Sequence, residues 1–193
     1  FALSFQNEAK LALQQPNSTA TIDQLNHILK TIQLQAKVAA IYVMDTKGKT
    51  IAASNWDNKQ SYIGKNFGFR PYFIDALHGK AGRFYGIGST TAEPGYFIAQ
   101  PVYGALAGDN KTDHTPIGVM AIKISLDDFA QAWRSIVEPV SLVDHWGVIF
   151  LSNRPAWQYH SLDSLTPTAQ QEIAHTLQYA GHQIEPMRAL PSK

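Results

Sequence analysis

Two stretches far apart in this chain read as the same piece of structure, and that repetition constrains the fold more than composition does. Ala39, Ala40 and Ile41 open a strand that continues through Val43, Asp45-Thr46-Lys47-Gly48 supplies a turn, and Thr50 to Ser54 reads as the returning strand of a hairpin. Ser141 to Val143, the Asp144-to-Gly147 turn and Val148 to Ser152 repeat that order. A repeated supersecondary unit points to internal duplication. The boundary between the two copies falls at a helix capped by Ser125-Leu126-Asp127-Asp128, which carries Phe129, Trp133 and Ile136 on one side and ends before Pro139. At 193 residues the chain can bury a substantial core and is long enough for one or two modules.

Helical signals come first in the chain. Phe1 to Gln15 reads as helix, interrupted near Pro16-Asn17-Ser18, and Thr21-Ile22-Asp23-Gln24 reads as a capping box with Thr21 at the N-cap and Gln24 at N3. Ile22, Leu25, Ile28, Leu29, Ile32 and Ala36 then form one apolar stripe against a polar outer face. Trp56 reads as a packing residue. Pro71 suits the first turn of a short helix through Leu77, with Gly79 as its stop. Arg83 to Tyr85 and Tyr96 to Val102 are predicted strands, separated by a Gly86-Ile87-Gly88 turn, and Leu106 to Pro116 is a polar loop. In the strand Ile117 to Ile124, alternation places Ile117, Val119, Ala121 and Lys123 on one face and Met120, Ile122 and Ile124 on the other. Thr166-Pro167 starts a helix to Ala180, with Gly181 beyond it.

The chemistry-bearing residues cluster between Ala52 and Val102. Phe69-Arg70-Pro71-Tyr72-Phe73 sets a guanidinium among aromatics, where its fixed donors can grip a planar anion, and Ser89-Thr90-Thr91 adds three hydroxyls in a row. Arg70 at a helix start fits an anion site or a salt bridge to one of the chain's own carboxylates, and spacing does not decide between them. Lys123 shares a face with small and apolar residues, so it either meets an anionic partner or snorkels from a sheet edge. With 16 basic and 15 acidic residues the chain carries no strong field, which argues against nucleic acid or an anionic membrane surface as main partner. No stretch approaches the roughly 20 apolar residues needed to span a bilayer. The seven histidines (His27, His78, His114, His145, His160, His175 and His182) lack paired metal spacing, the chain has no cysteine, and Asp144-His145 has no nucleophile elbow beside it, so no catalytic residue, metal or cofactor is expected. The lone Gly-x-Gly lacks the helix context of a nucleotide fold. Absence of cysteine fits an exported domain.

The patterns SNW, GxNFxFRPYFxxAxxG and GRFYGIGSTTAEPGYF resemble the periplasmic ligand-binding region of DctB-type sensor histidine kinases, and SLVDHWGVIFLSNRPAWQYHSL resembles the start of that family's second module. The resemblance implies an α+β fold: a long N-terminal helix followed by tandem PAS-like (double Cache) modules with antiparallel sheets. It divides the chain into an N-terminal helical region over 1–37, a membrane-distal ligand-binding module over 38–138 and the start of a membrane-proximal module over 139–193. The chain is accordingly expected to be an excised soluble fragment with an incomplete second module. As ligand the resemblance implies a C4-dicarboxylate such as succinate, fumarate or malate, with Arg70 on one carboxylate, Lys123 on the other, Ser89, Thr90, Thr91, Tyr72 and Tyr96 hydrogen-bonding the oxygens, and Phe67 and Phe69 walling the methylenes. The family often has tyrosine where this chain has Phe67. Further expectations are a bacterial inner-membrane protein anchored through segments outside this region, a homodimer in the full-length protein and a cytoplasmic response regulator as partner. In the family the N-terminal helix links sensor to membrane; the residues alone equally fit a packing helix. The rival reading is a similar sensor on a chemoreceptor or cyclase, tuned to an amino acid, whose ammonium would need an acidic group.

Overall fold

The computed structural model describes residues 2–104 and 115–187. Two compact units make up the chain: Phe1–Phe84 with Tyr96–Ile124, and Tyr85–Gly95 with Ser125–Lys193. The first begins with two helices, α1 (Ala2–Gln14) and α2 (Thr19–Ala36), broken around Pro16 as the sequence predicts. Ser18, not Thr21, caps α2: its hydroxyl accepts the Thr21 N–H at 3.4 Å and pairs with the Thr21 hydroxyl at 2.8 Å. An equivalent oxygen three residues upstream, directly after the proline break, lets the helix start earlier. At the other end Lys37 takes the left-handed conformation (φ 53°) and closes α2 by donating its N–H to the Gln33 carbonyl.

Five strands follow: β1 (Ala40–Asp45), β2 (Thr50–Ala53), β3 (Gly82–Ile87), β4 (Pro94–Tyr103) and β5 (Pro116–Ser125), with helix α3 (Pro71–Leu77) between β2 and β3. They form one sheet in the order β2-β1-β5-β4-β3. Antiparallel pairing of β1 with β5 sets Ala40 opposite Lys123 and Tyr42 opposite Ala121. One face of the first unit's sheet packs on the helices: Ala9, Ala12, Leu25 and Leu29 meet Ile41, Val43, Ala52 and Val102. The other face buries Tyr42, Met44, Val119 and Ala121 with Tyr62, Phe67, Tyr72, Phe73, Phe84 and Phe97. Because both faces are covered, β1 reads as a continuous apolar run and its alternation is hidden in the sequence. Ile117 departs from the expected alternation and packs on the helix side with Met120 and Ile122, since its pairing with β1 has ended at Gly118.

The second unit holds α4 (Asp127–Trp133), the β6–β7 hairpin (Ser141–Val143, Ile149–Ser152), α5 (Pro167–His175) and a short parallel pair, β8 (His160–Ser161) with β9 (Glu185–Pro186). Its hairpin copies that of the first unit bond for bond. Tyr42↔Ala53, Val43↔Ala52 and Met44↔Thr50 are matched by Ser141↔Ser152, Leu142↔Leu151 and Val143↔Ile149, with the register slipping after the second pair in both. Asp45 Oδ1 accepts the N–H groups of Lys47 (2.8 Å) and Lys49 (2.9 Å); Asp144 Oδ1 accepts those of Trp146 (2.8 Å) and Val148 (2.9 Å). Gly48 (φ 81°) and Gly147 (φ 82°) supply the left-handed residue each turn requires. The other carboxylate oxygen of Asp144 takes the Tyr179 hydroxyl at 2.6 Å and the Gln178 amide at 3.1 Å, tying the segment after α5 to the hairpin.

Several sequence expectations are corrected. Trp56 is 37% exposed and stands edge-on to His27, centroids 5.2 Å apart, because the chain leaves the core after Ser54, just past the end of β2. β3 continues through Ile87, so the turn begins at Gly88 and not at Gly86. α4 stops at Trp133 and leaves Ile136 outside it and exposed, while the Phe129 side chain lies outside what is described. α5 ends at His175, because Leu177 and Ala180 adopt positive φ (50° and 49°). The polar loop expected from Leu106 lies, through residue 114, outside the described residues, as does His114.

Asn26, 4% exposed on α2, accepts the Ala53 N–H at 2.9 Å and so joins the helix layer to β2. Asn26→Leu leaves that buried N–H without its acceptor and should lower the unfolding free energy by about 1–3 kcal/mol in urea titrations. An unchanged midpoint would mean the helix layer is not held through this bond.

Candidate functional site

The loop leading into α3 is fastened to the β1–β2 turn. Asn66 donates from Nδ2 to the Lys47 carbonyl at 2.9 Å and accepts the Gly68 N–H at 2.9 Å, and the Phe67 N–H reaches the Gly48 carbonyl at 2.9 Å. A Cβ on Gly48 would overlap the Gly68 backbone, so the two segments touch only because both residues are glycine. Phe67, Phe69 and Arg70 thereby enter the site from a fixed direction.

Arg70 is the N-cap residue of α3, in extended conformation (φ −78°, ψ 136°), as the following Pro71 demands. Its side chain makes no capping bond and turns into the protein, where the residue is 1% exposed. The guanidinium carbon lies 5.1 Å from the Phe69 ring centroid and 5.4 Å from that of Phe84, within cation–π range. Burial pulls the Arg70 pKa below its ordinary value, and the neighbouring Tyr72 and Tyr42 oppose that pull.

Lys123 is also 1% exposed, and the sheet-edge reading of it fails: β5 is the central strand, and the residue shares its face with Val119 and Ala121. That is the face on which Phe84, under Arg70, is buried. Two cations are thus withdrawn from water on one side of one sheet, in a chain whose net charge is only +1.

Tyr72, two residues after Arg70, stacks on Phe97 (5.2 Å, 5°), and its hydroxyl lies 2.7 Å from that of Tyr42. Burial raises the pKa of both phenols, so both are neutral hydroxyls at physiological pH. Tyr62 stands edge-on to Tyr42 (5.2 Å) and to Phe67 (5.6 Å). The sequence reading missed Tyr42 and Tyr62. Tyr42 could have been found by pairing β1 with β5, since it then falls two residues along from Ala40, the partner of Lys123.

Of the remaining expected residues, Tyr96 lies on β4 and Ser89, Thr90 and Thr91 lie in the turn between β3 and β4. Tyr96 is half-buried, and alternation along β4 turns it away from the face of Phe97 and Ala99. Ser89, Thr90 and Thr91 belong to the second unit, in a turn where the Gly88 N–H reaches Glu93 O at 2.9 Å and the Ala92 N–H reaches Gly88 O at 2.8 Å. The first unit therefore assembles Phe67, Phe69, Arg70, Tyr72 and Lys123, and adds Tyr42, Tyr62, Phe84 and Phe97. Buried donors, positive charge and rings are groups with which a protein can hold a small anion; among the described residues no group of three or more His, Asp or Glu could hold a metal ion. No described helix is long and apolar enough to cross a membrane.

No protein-family model matches the chain. Over 177 residues, 92% of its length, it is 32% identical to the C4-dicarboxylate transport sensor protein DctB of Pseudomonas aeruginosa, and over 167 residues 26% identical to the protein of that name from Rhizobium meliloti. It spans 28% and 26% of those two proteins, about a quarter of the length of the curated relatives it matches. Among solved structures, the sensor domain of the V. cholerae histidine kinase DctB matches with a TM-score of 0.82 at 32% identity, covering 93% of this chain and 67% of that one. The ligand-binding domain of the Pseudomonas fluorescens chemoreceptor CtaA, solved with L-leucine, matches at 0.53 and 19% identity over 81% of this chain and 62% of that one, a likeness of fold alone.

The position of Tyr72 depends on Gly82 at the start of β3, where an added Cβ would overlap the Tyr72 carbonyl. Backbone cannot yield there without moving α3. Gly82→Ala should lower the unfolding free energy by about 1–3 kcal/mol in thermal or urea denaturation, whereas Ala at the exposed neighbour Arg83 should leave it nearly unchanged. Equal stability of the two variants would show that β3 does not set the position of Tyr72.

Proposed function

The chain belongs to the family of DctB sensor domains, and from that premise we propose that its first unit captures a C4-dicarboxylate such as succinate, fumarate or malate. The observation that carries the reading is the burial of Arg70 and Lys123, each 1% exposed, on the same face of one sheet. Arg70 grips one carboxylate with its planar fork, and Lys123 neutralises the other as a point charge. Tyr72 donates a hydrogen bond to the carboxylate on Arg70, and Phe67 and Phe69 wall the methylene segment. The rings exclude water, which strengthens each charged contact. An amino acid suits the site less well, because its ammonium would sit among cations.

For the whole protein we propose an inner-membrane sensor histidine kinase that carries this region in the periplasm, works as a homodimer and signals to a cytoplasmic response regulator. Ligand binding would reach the membrane only through a difference in affinity between two states of the sensor.

Thermal denaturation with added ligand tests the site. Succinate at ~100 times its dissociation constant should stabilise the protein by roughly 2.7 kcal/mol, and butyrate at the same concentration far less. Arg70→Ala should abolish the succinate response, and Arg70→Lys should recover little of it, since an ammonium cannot reproduce the fork. Lys123→Met should lose most of the preference for diacid over monoacid. A full succinate response in Arg70→Ala would remove Arg70 from the site, and stabilisation by leucine but not succinate would support the amino-acid reading instead.

A further inference from the structure

Tyr42 and Tyr72 are each 1% exposed, and their hydroxyl oxygens are 2.7 Å apart. Each phenol carries one proton, so the pair has two, and a bond between them uses one. Among the described residues the two hydroxyls bond each other and nothing else. One donor proton is therefore left over in a place closed to water, and a buried donor without an acceptor is unfavourable. Arg70 and Lys123 are donors only and cannot accept it. An incoming group with acceptor oxygens can.

We infer that Tyr42 is a positioning residue for ligand binding: it donates to Tyr72, which frees the Tyr72 proton for a carboxylate oxygen held by Arg70. The inference rests on the dicarboxylate site proposed above. The direction of the relay is inferred from chain position: Arg70 and Tyr72 share the start of α3, whereas Tyr42 comes from β1. The rings give the pair little freedom to rearrange. Tyr42 is flanked by Tyr62 (5.2 Å) and Phe67 (5.5 Å), and Tyr72 lies flat on Phe97. Burial keeps both phenols neutral, so the pair acts by hydrogen-bond direction and not by charge. Chained hydrogen bonds polarise one another, and a Tyr72 hydroxyl that accepts from Tyr42 is a stronger donor to the ligand.

Calorimetric titration with succinate of the wild type, Tyr42→Phe, Tyr72→Phe and the double variant reads the relay. Tyr72→Phe should weaken binding by about tenfold or more, because a bond to a charged acceptor is lost. Tyr42→Phe should weaken it by about threefold although Tyr42 does not touch the ligand. The double variant should bind no more weakly than Tyr72→Phe, since Tyr42 acts only through Tyr72. A merely structural role for Tyr42 would instead give a loss that persists in the Tyr72→Phe background, and that result overturns the inference, as does a Tyr42→Phe variant that binds like the wild type. A second readout needs no variant: in wild-type protein with labelled tyrosine Cζ, succinate should move the Tyr42 and Tyr72 resonances together, and movement of Tyr72 alone contradicts the relay. Failure of wild-type protein to bind succinate at all would overturn the dicarboxylate reading itself, an outcome no tyrosine variant can mimic.

Discussion

Removing the Arg70 guanidinium from water is the constraint to which the rest of the first unit conforms. An uncompensated buried cation costs several kcal/mol, so its surroundings must return much of that. Pro71 forces the extended backbone that turns the side chain inward, and Phe69 and Phe84 lie against the cation. Phe84 in turn packs with Phe97, on which Tyr72 stacks, and Tyr72 is positioned by the glycine that opens β3. One buried charge thus links the N-cap of α3 to strands far away in sequence.

The second unit offers a comparison within the same chain. Its hairpin repeats the first in register, register shift and turn bonds, and its helix likewise begins with a proline, Pro167. At the residue before that proline it carries Thr166, whose hydroxyl caps the helix by accepting the Ala169 N–H at 3.2 Å. In the first unit the equivalent residue is Arg70, which makes no side-chain cap. A good N-cap contributes about 1 kcal/mol, so α3 forgoes a local stabilisation that α5 keeps, and the position is given to a cation instead. Where Tyr42 stands opposite Ala53 in the first hairpin, Ser141 stands opposite Ser152 in the second. The two copies share a hairpin and differ in the residues proposed to make the binding site.

Much of this was legible in the sequence because the signals are local. Proline after Arg70, alternation through Lys123 and the two Asp-to-Gly turns each specify structure within a few residues, and the quoted motifs carried the family. What escaped reading depends on pairing over distance. Tyr42 joins the site only because β1 lies beside β5 in one particular register, and two-sided burial hides its direction. Residues 85–95 belong with the second unit through the Tyr85 ring stacked on Phe150 at 3.8 Å and the Ile87 N–H bonded to Gln178 O, contacts that composition does not announce. The end of α5 was missed because left-handed Leu177 and Ala180 carry no glycine signal. The α2 cap was misplaced by three residues because Ser18 and Thr21 both offer a suitable oxygen, and the break at Pro16 favours the earlier one.

The central claim is that one dicarboxylate is held at opposite ends by two different cations, Arg70 and Lys123. Free succinate is symmetric, and its two carboxylate carbons give a single resonance. Carbon-13 NMR of carboxylate-labelled succinate in the presence of excess protein should therefore show two bound resonances, both displaced from the free position, because a guanidinium fork with a tyrosine hydroxyl and a lone ammonium are unlike surroundings. A single resonance left at the free position would contradict the account.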